Sequence, residues 1–138
     1  MHLITYMRIY ISARNMYQEE TEKVARFLEK HGHVVYYSAK NTYQKAPIDE
    51  MFLNNLVLIR NSDVFIAYLT KKNYFDIDTA VEVGIAVEAG KPVFGYLDID
   101  VENQKQFHKL FEKDIMIQGS FSKIFTNIEE FANFLLTI

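Results

Sequence analysis

The feature that most constrains the fold is the run Val64–Leu69, which is apolar at nearly every position. A strand with apolar side chains on both sides is typical of a parallel sheet that is covered on both faces. Helical patterns separate this run from the other β-rich runs, which lie at 8–13, 34–38, 92–97 and either 115–117 or 123–125. The alternation predicts an α/β fold, a doubly wound parallel sheet of five strands with right-handed crossovers and helices on both faces.

The sequence also indicates where the helices begin and end. Gly32 and Gly90 are placed to end the first and third helices in the left-handed conformation. Asp78 is the expected N-cap of the third helix, and Asn127 is the expected N-cap of the last. The side chains expected to face the core from the second, third and last helices are Ile48, Phe52, Leu56, Ile59, Ala80, Val83, Ala86, Val87, Ile128, Phe131, Leu135 and Leu136.

Length and charge exclude several classes of protein. The 138 residues are expected to form one domain, 1–138. Acidic and basic residues are interleaved and the net charge is −3, so we expect no nucleic-acid polymer as a partner. No run approaches the roughly 18 apolar residues of a membrane span, and the first residues lack the order of a signal peptide. We therefore expect a cytoplasmic protein with no membrane partner.

The sequence contains no familiar cofactor or metal motif. The chain has no cysteine, which excludes disulfides, iron–sulfur clusters and zinc–thiolate sites. The first predicted strand is followed by residues 12–16, Ser-Ala-Arg-Asn-Met, and not by the glycine-rich loop of a dinucleotide site. There is no P-loop, and His31 and His33 have too few potential ligands nearby for zinc. We expect neither a cofactor nor a bound metal.

Glu82 is the candidate nucleophile. It stands in the predicted first turn of an otherwise apolar helix, where a carboxylate is costly unless it is paired, hydrogen-bonded or used. The positive end of the helix favours the ionised form there, which suits a nucleophile. In such sheets, ligands bind at the carboxyl ends of the strands, close to this helix. A glutamate that only interacts with the helix dipole on a solvated face is the alternative, and the spacing leaves both interpretations open.

Four other residues near the same sheet edge are candidates. Asp76 could be the acid partner of a pair that cleaves a glycosidic bond, whereas Asp78 has a structural explanation as an N-cap. Tyr10 is either a core residue or a hydroxyl that holds a catalytic carboxylate. Arg14 is either a solvated loop residue or a contact to an anion.

Together these segments resemble the nucleoside 2-deoxyribosyltransferase family, which includes the 2′-deoxynucleoside 5′-monophosphate N-glycosidases. The resemblance covers most of the chain in one consistent order. It is carried by Ile9-Tyr10-Ile11, Arg60 to Ala67, the pattern Asp76-x-x-Thr79-Ala80-x-Glu82-x-Gly84, Gly90 to Val93 and Met116 to Gly119.

The resemblance implies a flavodoxin-like fold and a double-displacement mechanism. Glu82 matches the family nucleophile, which attacks C1′ of a 2′-deoxynucleoside, expels the base and forms a covalent ester. A second nucleobase then attacks the ester with net retention of configuration. Tyr10 matches the tyrosine that orients the nucleophile, and Asp76 matches the aspartate that contacts the base and assists its proton transfer.

The resemblance also implies a homodimer or higher homo-oligomer with shared active sites. Asp114, two positions before Met116, matches the residue that a neighbouring subunit supplies to the 5′ end of the sugar. A carboxylate there repels a 5′-phosphate, which favours free nucleosides, whereas Arg14 and Ser12 could contact a phosphate.

Two residues depart from the family pattern. Asn55 and Asp78 stand where the family has aspartate and glycine, which leaves the base preference open. Hydrolysis in place of transfer, and a non-catalytic nucleotide-sensing module on the same fold, are the alternative functions.

Overall fold

A computed structural model describes residues 6–13, 18–42, 45–70, 76–99, 102, 104–105, 108–109 and 112–138. Arg14, a predicted substrate contact, lies outside these residues. The strands are β1 (Arg8–Ser12), β2 (Val34–Tyr36), β3 (Val64–Thr70), β4 (Val93–Asp98) and β5 (Lys123–Phe125). The described helices are α1 (Gln18–Lys30), α2 (Ser38–Asn41), α3 (Ile48–Arg60), α4 (Ile77–Glu88), α5 (Ile115–Ser120) and α6 (Ile128–Leu135).

The five strands form one parallel sheet in the order β2-β1-β3-β4-β5. This is the flavodoxin-like order, so the predicted fold class is confirmed. The strand order reverses between β1 and β3, which is the point where such sheets bind ligands. The last strand is formed by residues 123–125, because residues 115–117 belong to α5 instead.

Alternate residues of the strands build two separate cores, one on each face of the sheet. On one face, Ile9 and Ile11 pack with apolar residues of α1 and α6. On the other face, Tyr10 and Phe65 pack with apolar residues of α3 and α4. The candidate residue Tyr10 therefore points towards the helices that carry Asn55 and Glu82.

The helix ends agree with the sequence except at α4. Gly32 and Gly90 have positive φ angles of 90° and 75°, and the Asn127 side chain accepts hydrogen bonds from the backbone N–H groups of residues 129 and 130, as predicted. Helix α4, however, begins two residues earlier than expected. Its N-cap is Asp76, whose carbonyl accepts the N–H of residue 80, so the N-cap assignment of Asp78 is wrong.

Four apolar side chains predicted to be buried are exposed. Ile48 and Phe52 are 81% and 53% exposed, because the first half of α3 borders a cavity and does not pack on the sheet. Val87 is 44% exposed, since it lies about 100° around α4 from the buried Ala86. Leu136 is 70% exposed and lies just beyond the end of α6.

Candidate active site

A cavity of about 570 Å³ lies between α3 and α4, next to the residue that follows β1. Its volume is in the range of small-molecule sites. The cavity is lined by Ala13, Ser38, Ile48, Met51, Phe52, Asn55, Leu56, Ile59, Asp76, Asp78, Val81, Glu82 and Ile85. The cavity therefore brings together four candidates, Glu82, Asp76, Asp78 and Asn55. Asn55 lies on α3, and the three carboxylates lie across the cavity from it, on or beside α4.

Both carboxylate oxygens of Glu82 are hydrogen-bonded to residues of β1. The hydroxyl of Tyr10 donates to Oε2, and the hydroxyl of Ser12 donates to Oε1 at 2.9 Å. Tyr10 and Ser12 are two residues apart in one strand, so they point to the same face, which α4 covers. Their bonds fix the carboxylate of Glu82 at the edge of the cavity.

A second hydroxyl, that of Thr79, supports Ser12. The Oγ atoms of Ser12 and Thr79 are 3.1 Å apart, and both side chains are buried. The single hydroxyl hydrogen of Ser12 is directed at Glu82, so Thr79 is the donor in this pair. Sequence reasoning used Thr79 only as a motif residue. Thr79 lies three residues before Glu82, which places both on one face of α4, and this spacing could have identified Thr79 as a neighbour of the site.

Burial raises the pKa of the Glu82 carboxyl above its ordinary value of 4.5. The hydrogen bonds from Tyr10 and Ser12 act in the opposite direction, and the charges of Asp78 and Asp76 raise the pKa further. Helix α4 starts at residue 77, which places Glu82 in the second turn, where the helix dipole is weaker. The helix end was expected to favour the ionised carboxylate, and burial acts against that effect in this site.

Tyr10 remains protonated in this environment. Burial raises the pKa of its hydroxyl above its ordinary value of 10.0, and the negative charge of Glu82 adds to this effect. Tyr10 is therefore a permanent hydrogen-bond donor to Glu82.

Asn55 sits in a polar network that joins α2 to α3. Its Oδ1 accepts a hydrogen bond from Thr42, and its Nδ2 lies 3.4 Å from the Oγ of Ser38. Asn54 donates in turn to the Oγ1 of Thr42 at 2.8 Å. The sequence identified Asn55 but gave no indication of Ser38, Thr42 or Asn54, because these contacts join residues that are 12 to 17 positions apart in the chain.

Asp114 and Met116 do not line this cavity. Asp114 is the N-cap residue of α5, and Met116 is 84% exposed on that helix. Helix α5 packs beside α4, so both residues lie on the same side of the sheet as the cavity. Within one copy of the chain they are not part of the site.

The described residues contain no group of three or more potential metal ligands. Every helix in the described part of the chain is also too short or too polar to cross a membrane.

Solved structures with the same fold include three proteins of low sequence identity. The 2-desoxiribosyltransferase from Leishmania mexicana has a TM-score of 0.57 and 21% identity, over 66% of this chain and 64% of that protein. The CMP N-glycosidase from Clostridium botulinum has a TM-score of 0.56 and 20% identity, over 95% of this chain and 99% of that protein. A conserved protein from Enterococcus faecalis has a TM-score of 0.63 and 17% identity, over 94% and 96%.

These identities support the fold alone, and the chain spans less than two thirds of the Leishmania protein. No curated protein has a significant sequence match to the chain. The model of the family described as nucleoside 2-deoxyribosyltransferase, in contrast, matches residues 9–115. That match covers most of the chain, from β1 to the start of α5, and includes the cavity and its carboxylates. The chain therefore belongs to the nucleoside 2-deoxyribosyltransferase family.

Proposed function

We propose that this protein cleaves the N-glycosidic bond of 2′-deoxynucleosides and transfers the sugar to another nucleobase. The observation that supports this most is the carboxylate of Glu82, which lines a cavity of nucleoside size while two hydroxyl groups hold its oxygens. A carboxylate kept for structure alone would be expected to pair with a cation, and Glu82 has two neutral donors instead.

The reaction proceeds in two displacements. A carboxylate oxygen of Glu82 attacks C1′ while the bond from C1′ to the base nitrogen breaks, and its electron pair leaves with the base. Asp76 assists delivery of a proton to that nitrogen. The nitrogen of a second base then attacks C1′ and passes its proton to Asp76, while the bond from C1′ to the oxygen of Glu82 breaks and its electron pair returns to the carboxylate. The two inversions give net retention. Tyr10 and Ser12 position the carboxylate in both steps.

Replacement of Glu82 tests this assignment. We expect Glu82→Ala to abolish base exchange between deoxyadenosine and a free acceptor base, measured by chromatography. The matched control is Glu88→Ala, an exposed glutamate on the same helix, which is expected to keep full activity. Intact-protein mass spectrometry of the natural chain with substrate should show a deoxyribosyl adduct on Glu82. Full exchange by Glu82→Ala, or saturable binding with no turnover, contradicts the proposal.

Hydrolysis is the second candidate. It is kept because the solved CMP N-glycosidase overlaps nearly the whole of both chains, whereas the deoxyribosyltransferase overlaps about two thirds. In that case water replaces the second base. Incubation of a deoxynucleoside with and without a free acceptor base separates the two reactions, since only hydrolysis releases deoxyribose when no acceptor is present.

We also propose that a second copy of the chain completes the site with Asp114 and Met116. Ile77, Ile115 and Met116 are between 77% and 84% exposed on two adjacent helices, which is the kind of apolar surface that a partner covers. The carboxylate of Asp114 would accept a hydrogen bond from a 5′-hydroxyl and repel a 5′-phosphate, so free nucleosides are the proposed substrates.

Mixing two inactive variants tests the shared site. Glu82→Ala lacks the nucleophile in its own cavity. Asp114→Ala lacks the carboxylate that each copy is proposed to supply to the cavity of its partner. A mixture that exchanges subunits is expected to regain part of the activity, because some cavities then receive both residues. A monomer in analytical ultracentrifugation, or no regain of activity in mixed oligomers, contradicts the shared site.

A further inference from the structure

The amide of Asn55 is held in one orientation by residues outside the cavity. Thr42, which is buried, lies with its Oγ1 2.5 Å from Asn55 Oδ1. This separation belongs to the range of O–H···O bonds and is short for an N–H···O bond. Asn54 donates to the same Oγ1 at 2.8 Å, which occupies a lone pair of Thr42 and leaves its hydrogen for Asn55. The oxygen of the Asn55 amide is therefore used on the side away from the cavity.

The nitrogen of the amide is on the cavity side. Asn55 and Ser38 both line the cavity, and Nδ2 of Asn55 lies 3.4 Å from Oγ of Ser38. In the described part of the chain Nδ2 has no other partner, so the second N–H of the amide is available to a ligand. The α3 wall thus presents a hydrogen-bond donor, whereas the α4 wall presents the carboxylate acceptors of Asp76 and Asp78.

We infer that Thr42 and Asn54 lock Asn55 as a donor that discriminates between amino- and oxo-substituted nucleobases. This inference rests on the proposed function, because it assigns the base to the space beside Asn55. Bases differ most at the edge opposite the glycosidic bond, where an amino group and an unprotonated ring nitrogen replace an oxo group and a ring N–H. A fixed N–H donor forms a hydrogen bond with the base that presents an acceptor at that position. With the other base of the pair it faces a second donor, and no hydrogen bond forms. Thr42 and Asn54 are positioning residues, since they act through Asn55.

The size of the effect follows from the cost of an unmet hydrogen bond. A polar group left unpaired in a closed site costs enough to change binding about tenfold or more. We therefore expect at least a tenfold ratio of dissociation constants between deoxycytidine and deoxyuridine, or between deoxyadenosine and deoxyinosine.

The experiment measures binding by calorimetry in a Glu82→Ala background, which removes the proposed nucleophile so that the nucleosides stay intact. Asn55→Asp has nearly the same shape but presents an acceptor to the cavity, so it is expected to reverse the preferred member of the discriminating pair. Thr42→Val frees the amide to turn and is expected to reduce the ratio to about one. Thr42→Ser retains the hydroxyl and is expected to retain the ratio.

Asn54→Ala gives a second measurement if Thr42→Val does not fold, and it should lower the ratio without removing it. Ratios near one for both pairs in the Glu82→Ala background, or the same preferred member with Asn55→Asp, overturn the inference. Turnover by the natural chain decides the proposed function separately. If the chain binds nucleosides with a preference that Asn55→Asp reverses, but the natural chain has no turnover, the result contradicts the proposed function and supports the role of Asn55.

Discussion

Replacing Tyr10 by phenylalanine removes one oxygen atom from the completely buried end of a side chain that donates to Glu82. The ring contacts are retained, including the stacking on Phe65 with ring centroids 5.6 Å apart. A hydrogen bond to a charged group contributes about 1.5–3 kcal/mol. Most of that amount stabilises the ionised form of Glu82 over the neutral form, because Tyr10 donates and the carboxylate accepts.

The substitution is therefore expected to raise the pKa of Glu82 beyond the increase that burial already causes. At a pH on the acid side of the activity profile, the ionised fraction falls by about ten- to a hundredfold, from the same 1.5–3 kcal/mol. The rate at high pH should fall less, since there Glu82 is ionised in both proteins. The assay is kcat/KM for base exchange from pH 5 to pH 9, in which the acid limb of Tyr10→Phe moves to higher pH.

The raised pKa of Glu82 also makes the stability of the fold depend on pH. A carboxyl group whose folded pKa is raised stabilises the fold below its unfolded pKa, and that stability is lost as the pH rises through the folded pKa. The destabilisation of Tyr10→Phe relative to the natural chain should thus be larger at pH 8 than at pH 5, measured by urea unfolding.

Tyr68→Phe is the matched control. Tyr68 also donates to a carboxylate, that of Asp98, but it lies on the opposite face of the sheet, away from the cavity. Tyr68→Phe is expected to lower the free energy of unfolding but to leave the acid side of the kcat/KM profile at the same pH as in the natural chain. An unmoved limb in Tyr10→Phe, or an equal movement in Tyr68→Phe, would refute the role given to Tyr10.

Three further outcomes follow from the packing and the polar contacts. Thr79→Val should lower kcat several-fold, because Ser12 loses a partner worth about 1 kcal/mol, whereas Thr79→Ser should retain activity in steady-state assays. Burial lowers the pKa of His33, so below pH 6.5 the unfolded chain binds more protons than the folded chain and thermal stability should fall. His33→Gln cannot titrate, and its melting temperature should therefore fall less between pH 7 and pH 5. Ile59→Ala should cost about 2–5 kcal/mol in urea unfolding, against less than about 1 kcal/mol for Phe52→Ala, since the first side chain is 1% and the second 53% exposed.

The exposed fractions of α3 illustrate the limit of sequence patterns. Ile48, Phe52 and Ile59 share one helix face, and their spacing predicted that all three are buried. Only Ile59 is buried, because it packs with Tyr10 and other apolar residues of the sheet, whereas Ile48 and Phe52 line the cavity without such cover. Spacing defines a face of a helix, but it does not say whether the sheet or a ligand cavity lies opposite each turn.

The fifth strand shows the same limit. Residues 115–117 and 123–125 were equally good candidates, since short apolar runs occur in both strands and helices. Only the second run has β4 beside it, with Phe94 opposite Lys123, and the first forms a helix instead.

The sequence by itself determined the parallel α/β architecture and the group of acidic residues around Glu82, because buried strands, helix-ending glycines and closely spaced carboxylates are local features. The single-domain assignment stays a prediction. The sequence left Tyr10 as either a core residue or a partner of a carboxylate, and only the tertiary structure brings Tyr10 and Ser12 to the two oxygens of Glu82 across some 70 residues of chain. Tertiary structure alone decided that Thr42 fixes the amide of Asn55. Such contacts depend on how α3 and α4 are placed over the sheet, which no stretch of neighbouring residues encodes.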